Sequence, residues 1–139
     1  MTVAGTALDR FSSWLTRYGD AWEAADAGRL SDLFAAGATY QPTPFHDLVR
    51  GRAAIVEVFA ALLEELPGVS FAAQVLGVGD TYGVAHWRAA SSDRAIDGIL
   101  LAALDGRGRC ESLRTWWHAT DQTGLDSLQA SAAGEGGDS

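Results

Sequence analysis

The sequence predicts an α+β fold, with helices concentrated in the first half of the chain and a mainly antiparallel sheet in the second. Apolar residues recur at helical spacing over residues 6–36 and again over residues 52–66. A short strand that ends in a two-proline loop separates these regions, and residues 69–120 alternate in strand fashion between turn signals. The predicted order is therefore ααβαββββ, with helices covering one face of a sheet.

The first two helices follow from capping and spacing. Thr6 can cap the first helix, and Asp9, three residues on, completes a capping box. Apolar residues then recur at steps of three and four on one face, namely Leu8, Phe11, Leu15, Tyr18, Trp22 and Ala25. A short second helix through Leu33 and Phe34 is expected to end at Gly37, because glycine readily adopts the left-handed conformation that terminates helices.

The middle of the chain combines a short strand with a third helix. Residues 38–41 are predicted to form the strand, which Pro42 and Pro44 end because proline cannot donate to a sheet. Gly51 precedes the third helix, whose apolar stripe consists of Ile55, Val58, Phe59, Leu62, Leu63 and Leu66. Pro67 and Gly68 end that helix.

Four strands complete the predicted sheet. They cover residues 69–76, 81–90, 94–104 and 109–120, separated by turns rich in Gly, Ser and Asp. In the last strand, alternation turns Leu113, Thr115 and Trp117 inward and leaves Arg114 and Trp116 on the outer face.

Composition narrows the possible functions. The 139 residues suit a single domain over residues 6–120, between a flexible start at 1–5 and a disordered Gly-, Ala-, Ser- and Asp-rich tail at 121–139. The charge of −8, with ten arginines and no lysine, excludes lysine Schiff-base chemistry and disfavours nucleic acid or anionic membrane surfaces as partners. No apolar run matches a membrane span and no signal peptide is evident, so a cytoplasmic location is expected. Neither a metal nor another cofactor is expected, since the single cysteine and three scattered histidines form no ligand motif.

Several short segments, spread in order over residues 6–120, carry a family resemblance. They are Arg17-Tyr18, residues 24–28 with Leu33-Phe34, residues 38–40, residues 50–55, Asp97-Gly98 and the hairpin from residues 105–107 to Trp116-Trp117. In this order they resemble the SnoaL-like domains of the nuclear transport factor 2-like superfamily. The resemblance implies a cone-shaped, curved antiparallel or mixed sheet wrapped around the three helices, with an apolar pocket at the wide end. It also implies a homodimer through the outer sheet face, where Arg114 and Trp116 would be anchors.

The resemblance implies a catalytic role for one tyrosine, and it implies that two catalytic aspartates of related enzymes are missing from this chain. Tyr18 matches the tyrosine that donates a hydrogen bond to the substrate oxyanion in ketosteroid isomerase-like members, although a core tyrosine bonded to the backbone would look the same. The base aspartate of those enzymes corresponds to Pro42, and their second aspartate corresponds to Leu100. The chain is therefore not a ketosteroid isomerase in the strict sense.

The remaining acid–base candidates are Asp97 and His86, with Tyr40 as a second group able to hold a polar oxygen. Asp97 lies in a largely apolar strand, where a carboxylate could act as a general base or acid. The alternative is an acid on the sheet edge or dimer face, paired with an arginine such as Arg88 or Arg114. For His86 the alternative is a structural residue whose hydrogen bonds are satisfied within the strand. Simple alternation puts Asp97 on the face of the sheet opposite Leu100.

Two main hypotheses remain open, besides that of a subunit of a larger complex. The first is a cofactor-independent enzyme that isomerises, cyclises, dehydrates or hydrolyses a small apolar polyketide- or terpenoid-like molecule. Its pocket would be lined by Trp22, Phe34, Phe45, His46, Phe59, Leu100 and Trp117. The second is a non-catalytic binding or dimerisation module of the same fold. The orientation of Asp97 and His86, into the pocket or away from it, discriminates between them.

Overall fold

The computed structural model describes residues 6–92 and 94–121. The predicted flexible start at 1–5 and the predicted tail beyond residue 121 lie outside the described residues. The elements are α1 Ala7–Ala24, α2 Ala27–Ser31, β1 Phe34–Gln41, β2 Val49–Arg50, α3 Arg52–Glu64, β3 Ser70–Val78, β4 Tyr82–Ala90, β5 Arg94–Leu104 and β6 Cys110–Asp121. No helix in this described part is long and apolar enough to cross a membrane.

The strands form one six-stranded sheet in the order β2-β1-β6-β5-β4-β3. β1 runs parallel to β6, and all the other neighbours are antiparallel. This confirms the predicted α+β class with a mixed, curved sheet. It adds the two-residue strand β2, which is too short to leave an alternation pattern and pairs through Thr39 and Tyr40 of β1.

The start of α1 agrees with the prediction, whereas the boundary between α2 and β1 does not. The Thr6 hydroxyl accepts from the Asp9 backbone at 3.1 Å, and the Asp9 carboxylate accepts from the Thr6 backbone at 3.3 Å. However, α2 ends at Ser31, and Phe34 and Gly37 lie inside β1. Tertiary pairing outweighs local helical spacing here, because Phe34 pairs with Cys110 of β6.

Alternation along β4, β5 and β6 defines two faces of the sheet. The inner face lies under the helices and contains Trp87, Leu100 and Leu113, all buried. Side chains of intermediate or greater exposure alternate with them on the outer face. The hydrophobic core fills the space between the inner face and the helices.

Candidate functional site

Aromatic rings fill the space inside the curved sheet. Phe59 of α3 is fully buried and is surrounded by rings from α1 and β1. Its ring centroid lies 4.9 Å from Tyr40, 5.9 Å from Tyr18, 6.0 Å from Trp22 and 6.1 Å from Phe34. The predicted pocket-lining residues Trp22, Phe34, Phe59 and Leu100 are therefore part of a packed core.

Two tyrosine hydroxyls lie within this aromatic core. Burial raises the pKa of Tyr18 well above its ordinary value. The charge of Tyr40 adds to the rise, and a weak hydrogen-bond interaction with the Trp22 indole opposes it. Burial raises the pKa of Tyr40 to about 12, although a hydrogen bond with Thr115 acts in the opposite direction and lowers it. Both phenols are therefore neutral around pH 7 and can donate a hydrogen bond to an oxygen.

The core also holds indole groups with different hydrogen-bonding states. Trp14 Nε1 donates to the Leu33 carbonyl at 3.0 Å. Trp22 Nε1 and Trp87 Nε1 are equally enclosed. Apart from the weak interaction of Trp22 with Tyr18, neither nitrogen has a partner in hydrogen-bond geometry among the described residues. Unpartnered buried donors are rare in folded proteins, so these two groups are notable features of the interior.

The acid–base candidates Asp97 and His86 lie on the other side of the sheet. Their strands pair so that Arg88 of β4 stands directly opposite Asp97 of β5, and His86, opposite Ile99, is its diagonal neighbour. His86 Nε2 lies 3.0 Å from Asp97 Oδ1, and Arg88 Nε donates to Asp97 Oδ2 at 3.1 Å. His118 stands opposite Asp97 on β6. The anticipated pairing of Asp97 with an arginine is thus present, with Arg88.

These contacts also govern the ionisation of Asp97. Partial burial pushes its pKa upward, but hydrogen bonds from His86 and Arg88, together with their charges, lower it below the ordinary value. The carboxylate is therefore ionised and already engaged near neutral pH. Its surroundings are opposite to those that raise the pKa of a general acid or base.

The sheet separates the two halves of the predicted catalytic set. Tyr18 and Tyr40 are buried among the rings on the inner face. Asp97 alternates with the buried Ile96 and Gly98, and His86 with the buried Ala85 and Trp87, so both turn outward. Within one chain, therefore, these proton carriers cannot reach a molecule that contacts the two tyrosines.

The remaining predicted pocket residues are not all in one place. Trp117 lies on the inner face and packs, partly buried, against the core. Phe45 is 98 % exposed and His46 is exposed as well, so neither lines the interior. Their loop is folded on itself, with Gln41 Nε2 donating to the His46 carbonyl at 3.1 Å and the Thr43 hydroxyl 2.6 Å from His46 Nδ1.

Two surface grooves lie near the candidate groups. One, of about 220 Å³, lies between α1 and β3 and is lined by Leu15, Thr16, Gly19, Asp20, Glu23, Phe71 and Ala73. The other, of about 390 Å³, lies on the outer face beside His86 and Arg88. Among residues 6–92 and 94–121, no three His, Cys, Asp or Glu side chains come together as a potential metal site.

Sequence reasoning missed Trp87 and Phe71 as features of the interior. Trp87 stacks on Phe71 with centroids 5.9 Å apart and planes 11° apart, and both rings contact Trp22. Strand alternation could have grouped Trp87 with Ala85 and Ala89, but only the register of β4 against β5 shows which face they share.

Comparison with known proteins agrees with this architecture. The family model of the SnoaL-like domain matches residues 15–124. A steroid Delta-isomerase of Nocardioides simplex is 29 % identical over 113 residues, which cover 77 % of this chain and 89 % of the relative.

Solved structures share the fold at low sequence identity. The epoxide hydrolase/cyclase-like enzyme SalBIII, which has a role in pyran ring formation in the polyether salinomycin, superposes with a TM-score of 0.70 at 18 % identity, covering 84 % of this chain and 94 % of that protein. A putative ketosteroid isomerase from Kribbella flavida DSM 17836 gives a TM-score of 0.64 at 13 % identity, covering 79 % and 78 %.

Proposed function

Because the chain belongs to the SnoaL-like domain family, we propose that it is a non-catalytic module that binds a small apolar molecule beside its aromatic core, at the groove between α1 and β3, and forms a homodimer through the outer sheet face. The observation that carries the proposal is the position of Asp97 and His86 on the face opposite Tyr18 and Tyr40. A general base must come within about 3 Å of the proton it removes, directly or through one water.

The composition of the interior supports the same proposal. Among the described residues, Thr115 is the only buried polar or charged residue apart from the tyrosines and tryptophans. Its hydroxyl donates to the Pro42 carbonyl. By the family resemblance, Pro42 and the fully buried Leu100 correspond to the two acids of the isomerases. The interior therefore offers hydrogen-bond donors and apolar contact, but no group that exchanges a proton near neutral pH.

The proposed dimer surface is a continuous patch on β4, β5 and β6. Val84 stands opposite Leu101, which in turn stands opposite Arg114, and Ile99 stands opposite Trp116. Trp116 is 37 % exposed, and the Arg114 guanidinium lies 5.4 Å from the centre of its ring. Tryptophan and arginine are frequent anchors at the centre of protein interfaces, which supports a second copy of the chain as the partner.

A second candidate is an acid–base enzyme that isomerises or cyclises a small polyketide- or terpenoid-like substrate. The similarity to a steroid Delta-isomerase favours it, together with the buried, neutral phenol of Tyr18. This candidate requires a proton carrier from outside the aromatic core, for which Asp97 and His86 are the predicted groups.

Enzyme assays separate the two candidates. A β,γ-unsaturated steroid ketone is incubated with the protein, and formation of the conjugated enone is followed by ultraviolet absorption. We expect no rate above that of buffer, while tryptophan fluorescence reports saturable binding of the steroid. Turnover that is lost in both Tyr18→Phe and Asp97→Asn would instead establish the enzyme.

Sedimentation velocity tests the dimer. We expect the wild-type protein to be a dimer and Trp116→Glu to be a monomer. Leu8→Glu, at an exposed apolar position on α1, is the matched control and should remain dimeric. A monomeric wild-type protein, or equal dissociation of both variants, would overturn the proposed interface.

A further inference from the structure

We infer that the groove between α1 and β3 selects ligands that carry a positive charge, namely small apolar amines whose ammonium group lies against Asp20 and Glu23. This inference rests on the proposed binding function and names the chemical class of the ligand. The groove of about 220 Å³ is lined by Leu15, Thr16, Gly19, Asp20, Glu23, Phe71 and Ala73. These residues supply an apolar wall and a pair of acids, which together match a molecule with an apolar body and a cationic end.

The apolar wall of the groove is the rim of the aromatic core. Leu15 is 6 % exposed, and the Phe71 ring is partly buried. Phe71 stacks on Trp87 with ring centroids 5.9 Å apart, so its position beside the groove is fixed by the core. An apolar cavity of about 150 Å³ is enough for benzene, so a groove of this volume suits one ring with a short side chain.

Gly19 determines how closely the Phe71 ring approaches α1. A Cβ atom at residue 19 would lie 2.8 Å from Phe71 Cδ1 and 3.3 Å from Phe71 Cε1, which is closer than van der Waals contact allows. Glycine therefore lets the ring lie directly against the helix. The substitution Gly19→Ala would displace the ring and change the shape of the groove without changing its charge.

Both charged residues that line the groove are acids of α1. Asp20 and Glu23 are three positions apart on the helix, so their side chains are neighbours. The Phe71 backbone N–H donates to Glu23 Oε2 at 2.9 Å, which orients this carboxylate beside the groove. Asp20 also borders a second groove that contains Arg17 and Arg29, but in the described part of the chain no ion pair joins it to either arginine. The Asp20 carboxylate and Glu23 Oε1 are thus able to bind a ligand.

The charge of these groups defines the complementary ligand. Both carboxylates would repel an anion, whereas a protonated amine donates hydrogen bonds to their oxygens while its apolar body packs against Leu15 and Phe71. The net charge of −8 acts in the same direction, because it raises the local concentration of cations. Since both acids are exposed, we expect a modest preference, about fivefold over a neutral ligand of the same shape.

The test compares three probes that share a phenyl ring on a two-carbon chain. They are 2-phenylethylamine, which is a cation near neutral pH, 2-phenylethanol, which is neutral, and 3-phenylpropanoate, which is an anion. Binding at low ionic strength is followed through the backbone amide resonances of Gly19, Phe71 and Ala73 in ¹⁵N-labelled protein. We expect the amine to bind about fivefold more tightly than the alcohol and 3-phenylpropanoate to bind most weakly. Added sodium chloride should reduce these differences.

Matched variants show whether the preference belongs to the groove. Asp20→Asn and Glu23→Gln, combined in one protein, remove two charges but keep the size of both side chains and the oxygen that accepts from Phe71. This double variant should bind the amine and the alcohol equally. Glu57→Gln combined with Glu64→Gln removes two charges from exposed positions of α3 and should keep the fivefold preference.

The outcomes distinguish this inference from the proposed function. Equal binding of the amine and the alcohol to the wild-type protein would overturn the cation preference and leave the apolar site intact. A preference that survives in the α1 double variant, or that is lost equally in the α3 control, would also overturn it, because the net charge of the protein would then explain the result. Gly19→Ala should weaken the binding of both the amine and the alcohol, and unchanged binding would place them outside the groove. Absence of any response of the groove amides to all three probes would overturn both the inference and the proposed binding function.

Discussion

Replacing each of two buried tryptophans by phenylalanine should have very different effects on stability. Trp14 and Trp22 are both 1 % exposed and lie on the same helix, so the substitutions remove the same atoms from similar surroundings. They differ in the indole nitrogen, because Trp14 Nε1 donates to Leu33 whereas Trp22 Nε1 makes no hydrogen bond of standard geometry with any described residue. The pair therefore isolates the energetic contribution of that one N–H group.

The expected magnitudes follow from these contacts. Trp14→Phe leaves a cavity and loses a hydrogen bond whose net contribution is about 1 kcal/mol. The Leu33 carbonyl still accepts from the Cys110 backbone at 2.7 Å, so the substitution does not leave this carbonyl without a hydrogen-bond donor. Trp22→Phe leaves a similar cavity but removes an unpartnered donor whose burial costs about 1–3 kcal/mol. Trp14→Phe should therefore be more destabilising than Trp22→Phe by about 2–4 kcal/mol.

Urea unfolding of the ligand-free protein measures this difference. Far-ultraviolet circular dichroism is the appropriate probe, because the substitutions change tryptophan fluorescence directly. The denaturant dependence of the free energy of unfolding should be the same for both variants, which makes the comparison valid. Equal destabilisation, or a larger loss in Trp22→Phe, would refute the reasoning and mean that the Trp22 indole is hydrogen-bonded in solution.

Three further predictions concern single residues whose contacts stabilise the fold. Thr115→Val should cost about 1–2 kcal/mol, because it leaves the Pro42 carbonyl without its donor; urea unfolding checks this, and Thr115→Ser should retain most of the stability. Gly83→Ala should cost about 1–3 kcal/mol, since the new methyl group overlaps the buried Phe11 ring; Gly37→Ala, with no atom within 4 Å of the new carbon, is the thermal-melting control, and equal effects would contradict the packing argument. Hydrogen bonds from the Arg109 and Arg107 backbones lower the pKa of Asp105 below its ordinary value. The stabilisation by this carboxylate is therefore fully present above the ordinary pKa and is lost as the pH falls through the lowered one. Asp105→Asn should flatten the acid limb of the stability–pH profile, and an unchanged profile would be evidence against these bonds.

Much of the fold was predictable because its signals are local. The capping box of Thr6 and Asp9 involves neighbouring residues, and the apolar stripe of α1 follows from helical geometry alone. Gly108 adopts a positive φ of 79° in the hairpin between β5 and β6, as a tight turn requires. The end of α2 was not predictable in this way, because Phe34 is drawn into β1 by a partner 76 positions away in the sequence, Cys110.

The sequence alone determined the family, the α+β class and the alternation that places Asp97 and Leu100 on opposite faces. Through the family resemblance it also predicted that Pro42 and Leu100 stand where the isomerases have their two acids. Only the tertiary structure decided which face is covered by helices, and hence that Asp97 and His86 lie away from Tyr18 and Tyr40. The same holds for the unpartnered indoles of Trp22 and Trp87. The physical reason is that strand register and the hydrogen-bond partners of a buried group depend on residues distant in sequence, whereas capping, periodicity and turns depend on near neighbours.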